Sequence, residues 1–81
     1  MTSQVSAKRL TQIETHKTVK ILRIEGDRGL QDKLRQLGIL PGDMASIIRH
    51  APFGGPVLIE VGGREIALGQ QIAFNILVRE A

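Results

Sequence analysis

The run Leu34-Arg35-Gln36-Leu37-Gly38-Ile39-Leu40-Pro41-Gly42-Asp43 decides the fold. Leu30, Leu34 and Leu37 recur at helical spacing, with Asp32 early and Lys33 and Arg35 late, the order that a helix dipole favours. Gly38 stands where a helix end wants a left-handed residue, and Pro41 forbids continuation. Leu40-Pro41-Gly42-Asp43 then has proline second and glycine third, the chemistry of a type II turn, so the chain reverses there. A helix of about two turns is unstable alone. Leu30, Leu34 and Leu37 must therefore be buried against a sheet, and Gly38 and Gly42 serve the backbone.

The flanking segments supply that sheet. Upstream, Thr18 to Glu25 is rich in Val and Ile and reads as a strand, broken by Gly26-Asp27-Arg28-Gly29. Leu10 and Ile13 are three apart, enough for one apolar turn or an irregular anchor. Residues 1 to 8 are small and polar and read as a frayed extension, leaving residues 9 to 81 as a single domain. Downstream, Met44 to His50 is a strand, and Ala51-Pro52-Phe53-Gly54-Gly55-Pro56 is an exposed loop. Val57, Ile59 and Val61 alternate with Leu58 and Glu60. Gly62-Gly63 makes a two-residue hairpin turn, and Arg64 to Leu68 returns with Ile66 and Leu68 on one face. Gly69 to Ala73 suits one helical turn, and Phe74, Ile76 and Val78 alternate through a last strand. The expectation is a mainly β fold, a small five-stranded barrel closed to avoid exposed edges, with a short helix after the first strand and a helical turn before the last.

Composition narrows the function classes. Among 81 residues there is no Cys, which removes disulfides, thiolate metal sites and thiol chemistry together. With two Phe and no Tyr or Trp, the chain lacks the aromatic platforms that bind proline-rich ligands or single-stranded nucleic acids. The net charge of +3 resides in residues 1 to 25, where five basic side chains face Glu14 and Glu25, whereas the remainder sums to zero. Nucleic-acid binding is not expected from so thin a basic excess. No apolar run approaches the ~20 residues that cross a bilayer, and none resembles a signal peptide, so a cytoplasmic address is expected.

Few side chains carry chemistry. His16 and His50 are the only imidazoles, and neither has a second ligand at helical spacing, so a structural or solvated role is favoured over a metal site. A turn at Gly62-Gly63 places Glu60 opposite Glu65, a like-charge pair that water, Arg64 or a lysine could relieve, and so could a bound cation or a partner's basic side chain. The glycines fit turns rather than phosphate cradles, and no nucleophile motif surrounds either histidine, so no enzymatic activity is expected. Phe53, at the centre of the Pro/Gly loop, has two open roles, anchor for a partner or lid on the barrel. Leu40 has the same two, with burial favoured.

At Leu34 to Gly42 the chain resembles the FeoA family, the small cytoplasmic component of bacterial ferrous-iron transport. Pro52-Phe53-Gly54-Gly55-Pro56-Val57 resembles the family's central loop, and Ile66-Ala67-Leu68 with Ala73 and Ile76-Leu77-Val78 its closing segment, so the similarity runs from about Arg9 to Arg79. The resemblance implies an SH3-like barrel without catalytic activity that binds and modulates FeoB, the membrane permease with a GTP-binding domain. Phe53, Leu40, Pro41, Gly54 and Gly55 would then meet the partner, at the inner face of the membrane. No cofactor is expected beyond weak divalent-metal binding, for which His16, His50, Glu60 and Glu65 are the candidates. Similar domains occur fused to iron-dependent repressors, so a metal-sensing regulatory domain is the alternative. Two features depart from the family pattern. His16-Lys17 replaces a glycine-containing turn, and Gly69-Gln70 stands where basic residues are common.

Overall fold

The computed structural model describes residues 7–81, so residues 1–6 of the expected N-terminal extension lie outside it. Six strands form one antiparallel sheet in the order β1-β6-β2-β3-β4-β5. These are β1 (Lys8–Arg9), β2 (Thr18–Ile24), β3 (Met44–His50), β4 (Val57–Val61), β5 (Arg64–Leu68) and β6 (Ile76–Glu80). A 3-10 turn over Leu10–Gln12 follows β1, helix α1 (Arg28–Gln36) follows β2, and the single-turn helix α2 (Gln70–Phe74) precedes β6. The ladders of β2 with β6 and of β3 with β4 each slip by one residue, between Ile21 and Arg23 and between Ile47 and Arg49. Such bulges bend a strand and raise its twist, which rolls the sheet into a roughly barrel-like shell.

The core fills that shell. Val19 and Ile21 of β2, Ala45 and Ile47 of β3, and Val57, Ile59 and Val61 of β4 are all buried, as period-two alternation requires. Leu10 and Ile13 of the 3-10 segment, Leu34 of α1 and Ala73 of α2 complete it, and no polar residue is buried among the described residues. Leu30 and Leu37 are partly buried against this cluster, flanking Leu34 as the helical spacing demands.

Helix α1 is capped at both ends, at Gly38 as the sequence suggests and at Asp27, read there only as a strand breaker. The Asp27 side chain accepts a hydrogen bond from the Leu30 N–H at 2.9 Å. At the other end Gly38 has φ +82°, its N–H donates to the Arg35 carbonyl, and the Ile39 N–H donates to the Leu34 carbonyl, both at 2.9 Å. This is the Schellman arrangement, and it directs Ile39 into the core beside Leu34. The Arg64 guanidinium reaches over from β5 to donate to the Leu37 carbonyl at 2.8 Å.

Four expectations need correction. A sixth strand exists because Lys8 and Arg9 pair with Val78 and Leu77 on the outer edge of β6. The sheet does not close, since a two-residue β1 is too short to offer β5 a ladder. Phe74 belongs to α2 rather than to the last strand, which starts at Ile76 and buries three successive residues, Ile76, Leu77 and Val78. Leu40 is exposed, at 41%, because the helix cap has already given the core position to Ile39.

Two substitutions test this packing. Leu34→Asp places an unpaired carboxylate in an apolar core, at a cost of about 4 kcal/mol or more, and should leave no cooperative thermal transition. Gly38→Val puts a β-branched residue at positive φ and drives its Cβ into the Arg64 guanidinium, so chemical denaturation should show a loss of about 2 kcal/mol or more.

Candidate functional site

The proline and glycine segment between β3 and β4 is an extension of the hairpin rather than an irregular loop. The Ala51 N–H donates to the Pro56 carbonyl at 2.9 Å, and the Gly55 N–H donates to the Pro52 carbonyl at 3.1 Å. That leaves Phe53 and Gly54 as a two-residue turn with φ values of +60° and +73°, the signs of a type I′ turn. Glycine adopts such angles freely, whereas a phenylalanine there stores strain of order ~1 kcal/mol. The Phe53 ring is fully exposed, at 103%, and covers nothing. The turn is nonetheless braced from below, because Gln70 Nε2 of α2 donates to the Gly55 carbonyl at 2.9 Å. A Cβ at Gly55 would lie 2.8 Å from the Ala51 Cβ, so the two arms also touch closely.

Leu40 and Pro41 stand elsewhere. They precede β3 whereas Phe53 follows it, and seven residues of strand separate the two turns by about 20 Å. The residues grouped in the sequence reading therefore form two surfaces, one with Phe53, Gly54 and Gly55, the other with Leu40 and Pro41. Asp43 closes the second turn, accepting from the Leu40 N–H at 3.0 Å and donating its own N–H to the Leu40 carbonyl at 3.1 Å. Beside it a groove of about 370 Å³ runs from Gly38 to Gly62, walled by Met44 and Val61.

A cluster missed by the sequence reading joins β1, the end of β2 and α2. The Arg9 guanidinium lies 4.4 Å from the centre of the Phe74 ring, and its Nη1 donates to Glu25 Oε1 at 2.8 Å and to the Phe74 carbonyl at 3.1 Å. The hydrogen bond from Arg9 holds the Glu25 carboxyl below its usual pKa, with the charges of Arg9 and Arg23 acting in the same direction. Alternation of Phe74 with Ile76 and Val78 concealed this arrangement. Gly69 and Asn75, which cap α2 at either end, were the available signal.

The metal-ligand candidates do not converge. The ring nitrogen Nε2 of His50 lies 2.6 Å from the Ile13 carbonyl, an oxygen that can only accept, so that nitrogen carries a proton and is closed to a metal. His16 is exposed at a turn with φ +73°, its N–H donating to the Ile47 carbonyl, which explains why a glycine-containing turn suits that place. Glu60 and Glu65 are paired directly across the hairpin. Among the described residues no group of three or more His, Asp or Glu could hold a metal ion.

Comparison with known proteins gives a consistent picture. The family model described as the FeoA domain matches residues 8–80. An Fe(2+) transport protein A of Methanocaldococcus jannaschii is 33% identical over 63 residues, spanning 78% of this chain and 74% of the relative. The crystal structure of an iron uptake regulatory protein, FeoA, superposes with a TM-score of 0.83 at 25% identity, covering 94% of this chain and 99% of the other. A manganese-dependent transcriptional repressor shares the fold alone, with a TM-score of 0.89 at 19% identity over 98% of this chain and 44% of its own length. The architecture is accordingly SH3-like.

The Arg9 and Glu25 contact predicts an acid response. Because folding lowers the Glu25 pKa, its contribution to stability is present above the ordinary glutamate pKa and is lost as the pH falls through the lowered folded value. An NMR titration of the Glu25 carboxyl should give a midpoint below that of a free glutamate, and Arg9→Met should raise it toward the ordinary value.

Proposed function

The chain belongs to the FeoA family, and we propose that it is a non-enzymatic accessory protein of ferrous-iron transport, binding the cytoplasmic part of a FeoB-type GTP-dependent permease with the Phe53 turn as its anchor. Family membership associates the chain with ferrous-iron transport. The finer reading is carried by one observation, the fully exposed Phe53 ring held at positive φ on a braced turn. An apolar ring in water on a strained backbone contributes nothing to the isolated fold. A partner pocket offsets both costs, and a turn already held in place loses little entropy on binding.

The remaining features agree. In this reading GTP hydrolysis falls to the permease. No described helix is long and apolar enough to cross a membrane, and the partner supplies that part. Leu40 and Pro41 offer a subsidiary contact to a partner that spans the length of β3. A metal-sensing role draws less support, because the described residues bring no three His, Asp or Glu side chains together.

Phe53→Asn separates binding from folding. Asn-Gly is the preferred pair for a type I′ turn, so thermal unfolding should show stability unchanged or raised by about 0.5–1 kcal/mol. Calorimetry against the permease's cytoplasmic domain should show affinity reduced about 30-fold, the equivalent of ~2 kcal/mol. Full affinity in this variant would remove the anchor role.

A further inference from the structure

The open sheet leaves β5 with one unpaired edge, and the hairpin geometry says which groups it presents. With Gly62-Gly63 as a two-residue loop, Val61 and Arg64 form the closing hydrogen-bonded pair of the ladder. Ile66 and Leu68 then also bond to β4, whereas the N–H and C=O of Glu65 and Ala67 point away from it. No backbone hydrogen bond outside the β4 ladder involves residues 64–68. Glu65 and Ala67 are exposed, and nothing lies within 4 Å of where a Cβ would stand on Gly62, Gly63 or Gly69, so both ends of the strand are unobstructed.

A second, independent observation concerns charge. Thr18, Ser46, Glu60 and Glu65 form one continuous row across β2, β3, β4 and β5. Neither glutamate joins an ion pair among the described residues, and the nearest candidate cation in sequence, Arg64, is turned to the Leu37 carbonyl. Two like charges directly opposite one another are unfavourable. The next place in the row is the position that a strand added to β5 would set opposite Glu65.

We propose that the β5 edge receives an extended basic segment of another protein, which adds a seventh strand and sets a Lys or Arg against Glu65. The main chain of that segment satisfies the free groups of Glu65 and Ala67, and its cation completes the row that ends in two carboxylates. A second copy of this chain is the poorer occupant. A two-fold pairing centred on Ile66 sets Glu65 against Ala67 and brings no cation, and one centred on Glu65 lines up four glutamates. The inference stands apart from the Phe53 anchor and survives its failure.

The test uses the full chain, labelled with nitrogen-15, and a capped heptapeptide alternating Thr and Val with Lys at its centre. Addition of the peptide at millimolar concentration should shift the Glu65 and Ala67 amide signals, and binding should be about fivefold tighter than for the same peptide with Glu at the centre. Ala67→Pro deletes an outward N–H that β4 does not use and should abolish the shifts while leaving the rest of the spectrum in place. Glu65→Lys should remove the preference for the Lys peptide, a readout that holds even if the proline variant fails to fold. Unmoved Glu65 and Ala67 signals, equal binding of the two peptides, or self-association through β5 in place of peptide binding would each overturn the proposal.

Discussion

The left-handed backbone at Gly38 is the constraint on which the remaining structure depends. It lets the Ile39 N–H reach the Leu34 carbonyl, so the last turn of α1 and the first residue after it enter the core together. The same geometry leaves the Leu37 carbonyl facing outward, where Arg64 of the β4–β5 hairpin claims it. It also aims the following turn at β2, where the Gly42 N–H donates to the Ile21 carbonyl at 2.7 Å and the Ile21 N–H donates to the Asp43 carbonyl at 2.9 Å. One glycine thus couples the helix, the middle of the sheet and its far hairpin.

From that coupling follows a division between surfaces that hold the fold and surfaces free of that duty. The wholly apolar core, the two α1 caps and the Arg9 cluster account for the sheet, the helices and the tie between β1 and α2. Phe53 and the outer edge of β5 contribute to none of these. Each carries a feature unfavourable in isolation, a ring in water at positive φ in one case and paired carboxylates beside unpaired backbone groups in the other. Such features are candidates for binding because a partner would relieve them, which makes their isolation from the core informative.

Much of this was legible in the sequence, for local reasons. Pro and Gly place the turns, helical leucine spacing places α1, and the Gly62-Gly63 loop sets Glu60 opposite Glu65. What escaped depended on tertiary context. Phe74 shares period two with Ile76 and Val78, yet the middle position of that stretch, Leu77, lies between Arg9 and Arg23 in the sheet and is buried too, so alternation had no meaning there. Leu40 looked like core because nothing local distinguishes it from Ile39, and only the cap geometry does. The sheet is open, with β5 at one edge and at the other β1, which spans only Lys8 and Arg9. Phe53, Gly54 and Pro41 are exposed turn positions, and only the strand register shows how far β3 separates them.

The central claim is that this domain acts by docking rather than by binding metal. Its most direct test is a heteronuclear NMR titration of the labelled chain with the cytoplasmic domain of a FeoB-type permease, alongside an anaerobic titration with ferrous iron. The account predicts saturable shifts centred on Phe53, Gly54 and Gly55 with the permease domain, and no site-specific broadening with iron. Silence at that turn at saturating permease, with iron broadening concentrated at His16, His50 or the Glu60 and Glu65 pair, would contradict it.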